Sequence, residues 1–306
     1  MIRQAAFTHG AKLLKGALHC HTTRSDGAGT PEETIRYHAQ HGYDFMALTD
    51  HRVYNYANFA PDAGVTIIPG MEMDRNLPGP GIHCHHIVTI GPEKERGNGF
   101  LQDQRFESAQ ITTAAECQQM LDMLHDNGNM TIYCHPQWSG VSAREFEGLT
   151  GNFAMEIWNS GCAMEDGVDT NAAYWDELLA QGQVIYGVAT DDGHQMHQHC
   201  NGWVRVNSAN TVDDILQALK AGAFYSSCGP EIYDFRVEDG QAYIECSPAQ
   251  RIQFRHFRAP YHLIEGEDGA SVTSGSIKIW EGTGYIRAVV IDEAGRRAWT
   301  NPIFFE

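Results

Sequence analysis

The chain has 306 residues and a mass of 34.0 kDa, and its 42% hydrophobic content suffices for a packed core in one large domain or in a main domain with a smaller appendage. Its 39 Asp and Glu outweigh 21 Lys and Arg for a formal charge of −18, unbroken by any basic block, which argues against nucleic acid or anionic membrane as the main partner because both are bound through basic patches. The stretch from Met1 to His9 is mixed rather than of signal-peptide form, and no window approaches the roughly 18 to 20 apolar residues of a membrane span, so a cytoplasmic protein is expected.

In chain order, the first predicted strand runs through Lys15-Gly-Ala-Leu-His19-Cys20-His21. Side chains alternate along a strand, so His19 and His21 share a face and Cys20 points the other way. Asp26 follows five residues later, beside Gly27 and Gly29, where a turn can return a carboxylate to the same point. Thr30-Pro31-Glu32-Glu33 predicts a helix start, with Pro at the first helical position and a Thr-x-x-Glu capping box, and the helix should end near Gly42. Asp44–Leu48, Val65–Ile68 and Ile82–Gly91 read as strands. Thr113–Glu116 opens a helix to Gly128, Met130–Cys134 is a strand, and Ser142–Glu145 opens another helix. Phe153–Trp158, a helix from Thr170 to Gly182, and the strand Val184–Val188 follow. Strands alternating with helices at this spacing imply parallel βαβ units, hence an α/β sheet or barrel.

Beyond Ser227-Cys228-Gly229-Pro230 the texture changes to short β-type runs at 232–238, 241–247, 251–257, 276–281, 284–291 and 302–305. Glu238-Asp239-Gly240 sits between the first two as a hairpin turn would. This predicts a main domain at 1–228 and a small all-β domain at 229–306. Only two of the sixteen histidines, His256 and His262, fall in the second, so the chemistry is expected upstream. The eight cysteines show no CxxC pairing or regular spacing and read as buried thiols; Cys20, Cys84 and Cys134, next to candidate ligands, read as core residues.

Ligand-type residues sit at the carboxyl ends of the apolar runs: His19 and His21 after the first, Asp50 and His51 after the second, Glu72 after the third, His135 after Ile-Tyr-Cys, and Asp191, Asp192 and His194 after Val188. In parallel α/β folds those ends form one face, where active sites are built. Imidazole and carboxylate together suit Zn, Mn or Fe(II), and the metal is not readable from the donors. Arg24, Arg52 and Arg75 each follow a candidate ligand within three residues, and a guanidinium there can bind two oxygens of an anionic substrate; Arg52 is the best placed. Glu156 and Asn159 close a strand at the same end and read as rim or supporting residues. His197 and His199 read as surface or supporting residues.

His19-x-His21 with Ser25-Asp26-Gly27, Thr49-Asp50-His51, Gly70-Met71-Glu72, Cys134-His135-Pro136 and Asp192-x-His194 resemble, in order, the motifs of the PHP (polymerase and histidinol phosphatase) superfamily of metal-dependent phosphoesterases. The resemblance covers roughly residues 15–228. It implies a distorted (β/α)7 barrel with two or three divalent metal ions. His19, His21, Glu72 and Asp192 would hold a first ion, Glu72 would bridge to a second that also takes His135, and Asp26, His51 and His194 would hold a third. The second ion usually takes a further His. His83, His85 and His86 all come within range if Ile82–Gly91 returns antiparallel from Glu72, and His86, which abuts the apolar run as in relatives, is favoured. The tail, through Gly229–Phe235, Tyr285–Asp292 and Ala298–Pro302, is similar to the sandwich-like β domain of the CehA/McbA-type subgroup, which includes a carbamate ester hydrolase.

The expected function is therefore hydrolysis of a small anionic phosphate ester through a metal-bridging hydroxide, with Arg52 holding a phosphate oxygen and Asp50 orienting His51. Two other readings stand beside it. One is a carbamate, ester or amide hydrolase on the same metals, and the other is a binding protein that keeps its metals as structure.

Overall fold

The computed structural model describes residues 3–5, 10, 12–168, 171–256 and 262–305. After β1 (Arg3–Ala5) and β2 (Leu14–Ala17), α1 (Pro31–Gln40) starts on the expected capping box: the Thr30 hydroxyl accepts from Glu33 N, and the Glu33 carboxylate accepts from Thr30 N at 2.9 Å. β3 (Phe45–Ala47), β4 (Thr66–Ile68), β5 (Gly70–Asn76), β6 (Cys84–Ile90) and β7 (Ala109–Gln110) follow. A second capping box, Thr113 with Glu116, opens α2 (Ala114–Asp126), whose buried Cys117, Met120, Leu121 and Leu124 form one apolar stripe. Then come β8 (Met130–Tyr133), α3 (Ala143–Phe146), β9 (Asn152–Asn159), α4 (Ser160–Asp166), α5 (Ala172–Ala180), β10 (Tyr186–Thr190), β11 (Trp203–Val206), α6 (Val212–Lys220) and β12 (Phe224–Ser227).

Two sheets frame this part. β2, β3 and β4 pair in parallel, as do β8, β9 and β10, which is the arrangement expected of βαβ units. Between them lies an antiparallel pair: β6 returns along β5 with Glu72 opposite Val88 and Asp74 opposite His86, and then pairs antiparallel with β8. Glu72 therefore does not follow the third strand, as the apolar pattern suggested, but sits inside a strand of its own. The chain passes from β4 to β5 through Pro69-Gly70, where a Cβ on residue 70 would lie 2.7 Å from Thr89 O, closer than side chains approach.

The C-terminal part is all strand: β13 (Ile232–Glu238), β14 (Gln241–Ala249), β15 (Arg251–His256), β16 (His262–Glu265), β17 (Val272–Lys278), β18 (Tyr285–Ile291), β19 (Arg297–Thr300) and β20 (Ile303–Phe304). The β13–β14 turn is the hairpin read from Glu238-Asp239-Gly240; both central residues have positive φ, +50° and +76°, the twist that two-residue hairpins require. Along β14, Ala242, Ile244 and Cys246 are buried and pack with Phe235, Phe254, Ala288 and Val290, so the sheet β1-β13-β14-β17 lies over β15 and β18. The other sheet is continuous with the first part: β15, β18 and β19 lead through β12 and β11 to β2, and Ser227 pairs with Ala298. The helix expected from Thr170 and the strand expected to reach Phe257 both extend outside the described residues. All eight cysteines are unpaired, and seven of them are buried.

One buried ion pair joins the two parts. Arg287 of β18, with its side chain 1% exposed, donates to Asp176 Oδ1 of α5 at 2.9 and 2.5 Å and stacks on Trp175 at 4.4 Å, while Arg255 of β15 reaches the same carboxylate at 2.7 Å. Removing one partner of a buried pair strands the other charge. Asp176→Ala is expected to lower unfolding free energy by about 3–5 kcal/mol in a denaturant titration; a loss under about 1 kcal/mol would show that the pair does not anchor the C-terminal part.

Candidate metal centre

Past the end of β2 the chain remains extended. The Cys20 thiol turns away to donate to Ala47 O at 3.2 Å, and His19 and His21 turn the other way, their Nε2 atoms 3.2 Å apart. Glu72, fully buried on β5, faces five imidazoles: His51 at 2.8 Å, His86 at 2.9 Å, His19 and His21 at 3.4 Å and His135 at 3.5 Å. Asp192, beyond β10, lies 3.2 Å from His19, 3.0 Å from His21 and 3.5 Å from His135. Asp26 stands on the outer side, 3.5 Å from both His51 and His194 and 3.6 Å from His21.

Three overlapping groups result: His19, His21, Glu72 and Asp192; His51, Glu72 and His86, with His135 on the same Glu72 oxygen as His86; and His21, Asp26, His51 and His194. All nine residues expected as ligands lie in this cluster, and His83 and His85 do not. His83 is held by Glu145 at 2.8 Å, and buried His85 bonds the Tyr133 hydroxyl at 2.6 Å. The β6 register separates the candidates, because alternate residues face opposite sides of the sheet.

Supporting contacts fix the rings. Glu156, fully buried on β9, accepts from His19 Nδ1 at 2.6 Å, from His135 N at 3.0 Å, from the Thr190 hydroxyl at 2.7 Å and from Asn159 Nδ2 at 2.9 Å. With its Nδ1 proton so engaged, His19 turns the Nε2 lone pair into the site. Asn159 also donates to Asp192 Oδ2 at 3.1 Å, and His135 Nδ1 lies 3.1 Å from the Ser139 hydroxyl. Backbone strain concentrates here: Arg52 (φ +57°), His135 (+23°) and Asp192 (+49°) are three of the seven non-glycine residues with positive φ among the described residues. Such conformations cost about 1–3 kcal/mol each and persist where surrounding contacts enforce them.

Asp50 and Arg52 each make contacts that the sequence did not reveal. Asp50 does not orient His51; its carboxylate accepts from Thr22 N at 2.8 Å, from the Thr22 hydroxyl and from the Ser25 hydroxyl at 2.9 Å, so it pins the turn that carries Asp26. Arg52 is not a free cation, since its guanidinium pairs with buried Asp74, though its side chain stays 34% exposed. Two recesses open on the cluster and share Asp26 and His51. One, of about 350 Å³, is bounded by Trp138, Cys162 and Glu165, and the other by Arg24, Arg52, Arg105 and Phe106. Trp138, whose ring is 5.0 Å from that of His135, was not singled out from the sequence, where nothing but its place three residues after His135 marks it.

The donor set fits divalent cations. Burial alone would raise the Glu72 carboxyl, but His86, His51 and His19 outweigh it and hold it well below the usual carboxylate range. Burial opposes charge on His19, yet Asp192, Glu72 and Glu156 raise it well above 6.5, and His86 is raised in the same way by Glu72. Converging lone pairs with buried carboxylates make a point that attracts cations, and ions with two charges compete there against protons. Cys134 lies within 4.8 Å of donor atoms of His19 and Glu156, but burial raises its thiol well above 9, so it stays a neutral thiol.

Comparison with known proteins places this geometry in context. Residues 17–151 match the PHP domain family. A 5'-3' exoribonuclease of Haemophilus influenzae is 36% identical over 94 residues, 29% of this chain and 33% of that protein, so the chain spans about a third of the length of the curated relative it matches. A two-domain protein of Bacteroides vulgatus, described as containing a predicted PHP-like metal-dependent phosphoesterase, superposes with a TM-score of 0.51 at 14% identity, covering 94% of this chain and 93% of that one. That likeness extends the shared fold through the C-terminal strands.

Glu156 tests whether ring orientation matters. Glu156→Gln keeps the side chain's shape but removes the charge that holds His19, and it is expected to weaken metal binding 10- to 100-fold in competition with a chelator, with the fold intact by circular dichroism. Unchanged affinity would show that Glu156 only fills space.

Proposed function

We propose that this chain, whose residues 17–151 match the PHP domain family, is a metal-dependent hydrolase that cleaves a small phosphate ester at the cluster around Glu72. The observation that carries the proposal is the buried Glu72 carboxylate facing five imidazoles beside an open recess edged by Arg24, Arg52 and Arg105. His19, His21, Glu72 and Asp192 would hold one ion, Glu72 with His86 and His135 a second, and Asp26, His51 and His194 a third. Bound divalent ions would supply Lewis acidity and lower the pKa of water from 15.7 towards about 7.

The remaining work falls to the protein's own side chains. Glu156 and Asn159 keep His19 and Asp192 aimed inward, and Asp50 holds the 22–25 turn so that Asp26 and Arg24 face the recess. Arg52, paired to Asp74, presents its exposed edge beside His51, where it would bond a phosphate oxygen. A chain of −18 needs such local cations to accept an anion. The division at 228/229 belongs to the same proposal: the ligand groups found among the described residues all come from 19–199, which leaves 229–306 to brace the sheet that carries β2.

Inorganic phosphate is expected to inhibit hydrolysis of a phosphomonoester competitively. Arg52→Ala should weaken phosphate inhibition by roughly one to two decades, the equivalent of about 1.5–3 kcal/mol for one charge-assisted hydrogen bond. Arg52→Lys should recover only part of it, because an ammonium lacks the forked geometry. No inhibition by phosphate, together with normal turnover in Arg52→Ala, would overturn the phosphate-ester assignment.

A further inference from the structure

A second group of donors lies behind the cluster, between α1 and the loop that follows β10. His38, on the buried face of α1, donates from Nδ1 to Thr34 O at 2.8 Å, which leaves its Nε2 lone pair free. That Nε2 is buried without a hydrogen-bond partner, and so are both ring nitrogens of His199, in residues 0% and 2% exposed. The rings meet at 65° with centroids 5.2 Å apart. Donor atoms of His38, His199 and fully buried Asp191 lie within 4.8 Å of one another. Buried polar atoms are nearly always paired, so the orphan Nε2 of His38 and an orphan ring nitrogen of His199, meeting beside a carboxylate, point to a missing partner.

We propose that His38, His199 and Asp191 form a separate, buried divalent-cation site of the zinc type. Two imidazoles and one carboxylate are a donor set zinc accepts. Both rings are neutral and free to coordinate at pH 7, because burial pushes His38 down to about 4 and His199 down to about 3. The carboxylate is already aimed, since its oxygens accept from Cys200 N at 2.6 Å, Gly202 N at 2.7 Å and Asn201 N at 2.8 Å. Thr34 Oγ1, one helical turn before His38, is also buried without a partner and stands as a candidate fourth donor. Gly193 admits the His199 ring: a Cβ there would lie 2.4 Å from its Nδ1. None of the three side chains belongs to the groups around Glu72. The site fastens α1 to the 191–202 loop, which delivers Asp192 and His194 to the cluster, so its role is to hold that loop in place.

The test is anomalous diffraction at the zinc edge from crystals of the full chain grown with zinc. A peak between His38 and His199, besides those around Glu72, is the expected result. Peaks around Glu72 with none at His38 would overturn the proposal, as would ordinary density without anomalous signal there, which is a water. In solution, His199→Leu should bind one fewer zinc per chain than the wild type by elemental analysis, and unchanged stoichiometry would overturn it. Should that variant fail to fold, the diffraction experiment on the unaltered chain decides alone.

Discussion

The burial of one carboxylate governs this molecule. Glu72 has no solvent contact and is held in the core between parallel strand groups, where an isolated ionised carboxylate would be expelled or protonated. It stays ionised because five imidazoles surround it. Those rings, in turn, cannot all be neutral with lone pairs facing one another, nor all charged in so small a volume. A set of divalent cations resolves both conflicts, with carboxylate and lone pairs facing positive charge. The cluster is thus a site whose own side chains are in conflict without cations, and the rest of the fold keeps them there.

The scaffold meets that demand by breaking its own regularity. An antiparallel pair, β5 and β6, is inserted between parallel strands, and it delivers Glu72 and His86 from two directions to one point. His135 and Asp192 reach the same point only in backbone conformations that non-glycine residues avoid. The contacts that enforce them are identifiable: Glu156 accepts from His135 N, and Asn159 Nδ2 donates to Asp192 Oδ2. β2, which leads into His19 and His21, pairs with β11 and lies in the sheet that runs on into β19 and β18, so the C-terminal strands brace the element on which the first ligand pair depends.

What could be read from the sequence was local or periodic. Both long capping boxes, at Thr30 and Thr113, are four-residue signals and mark the helices they open. The His-x-His alternation places both rings on one side because strand periodicity is a property of adjacent residues. His86 could be favoured over its neighbours because it abuts the apolar run as in relatives of the resembled family. What depends on distant partners was not legible. Asp50 precedes His51 and looks like its support, yet it reaches back 28 residues to Thr22. Glu72 follows an apolar run, but the turn at Pro69-Gly70 that starts a new strand is set by contact with Thr89. Strands β16 and β19 carry too few apolar residues to announce themselves, and His199 read only as a surface or supporting residue because nothing nearby in sequence shows that α1 covers it.

The central claim is that Glu72 serves two ions at once and that hydrolysis depends on it. The most direct measurement is metal content and phosphomonoester turnover of Glu72→Gln beside the wild type, with circular dichroism as the check on folding. The account predicts a folded protein with less bound metal and turnover lowered by orders of magnitude, because a neutral amide cannot offer two anionic oxygens to two cations. A folded Glu72→Gln protein with full metal content and wild-type turnover would contradict it.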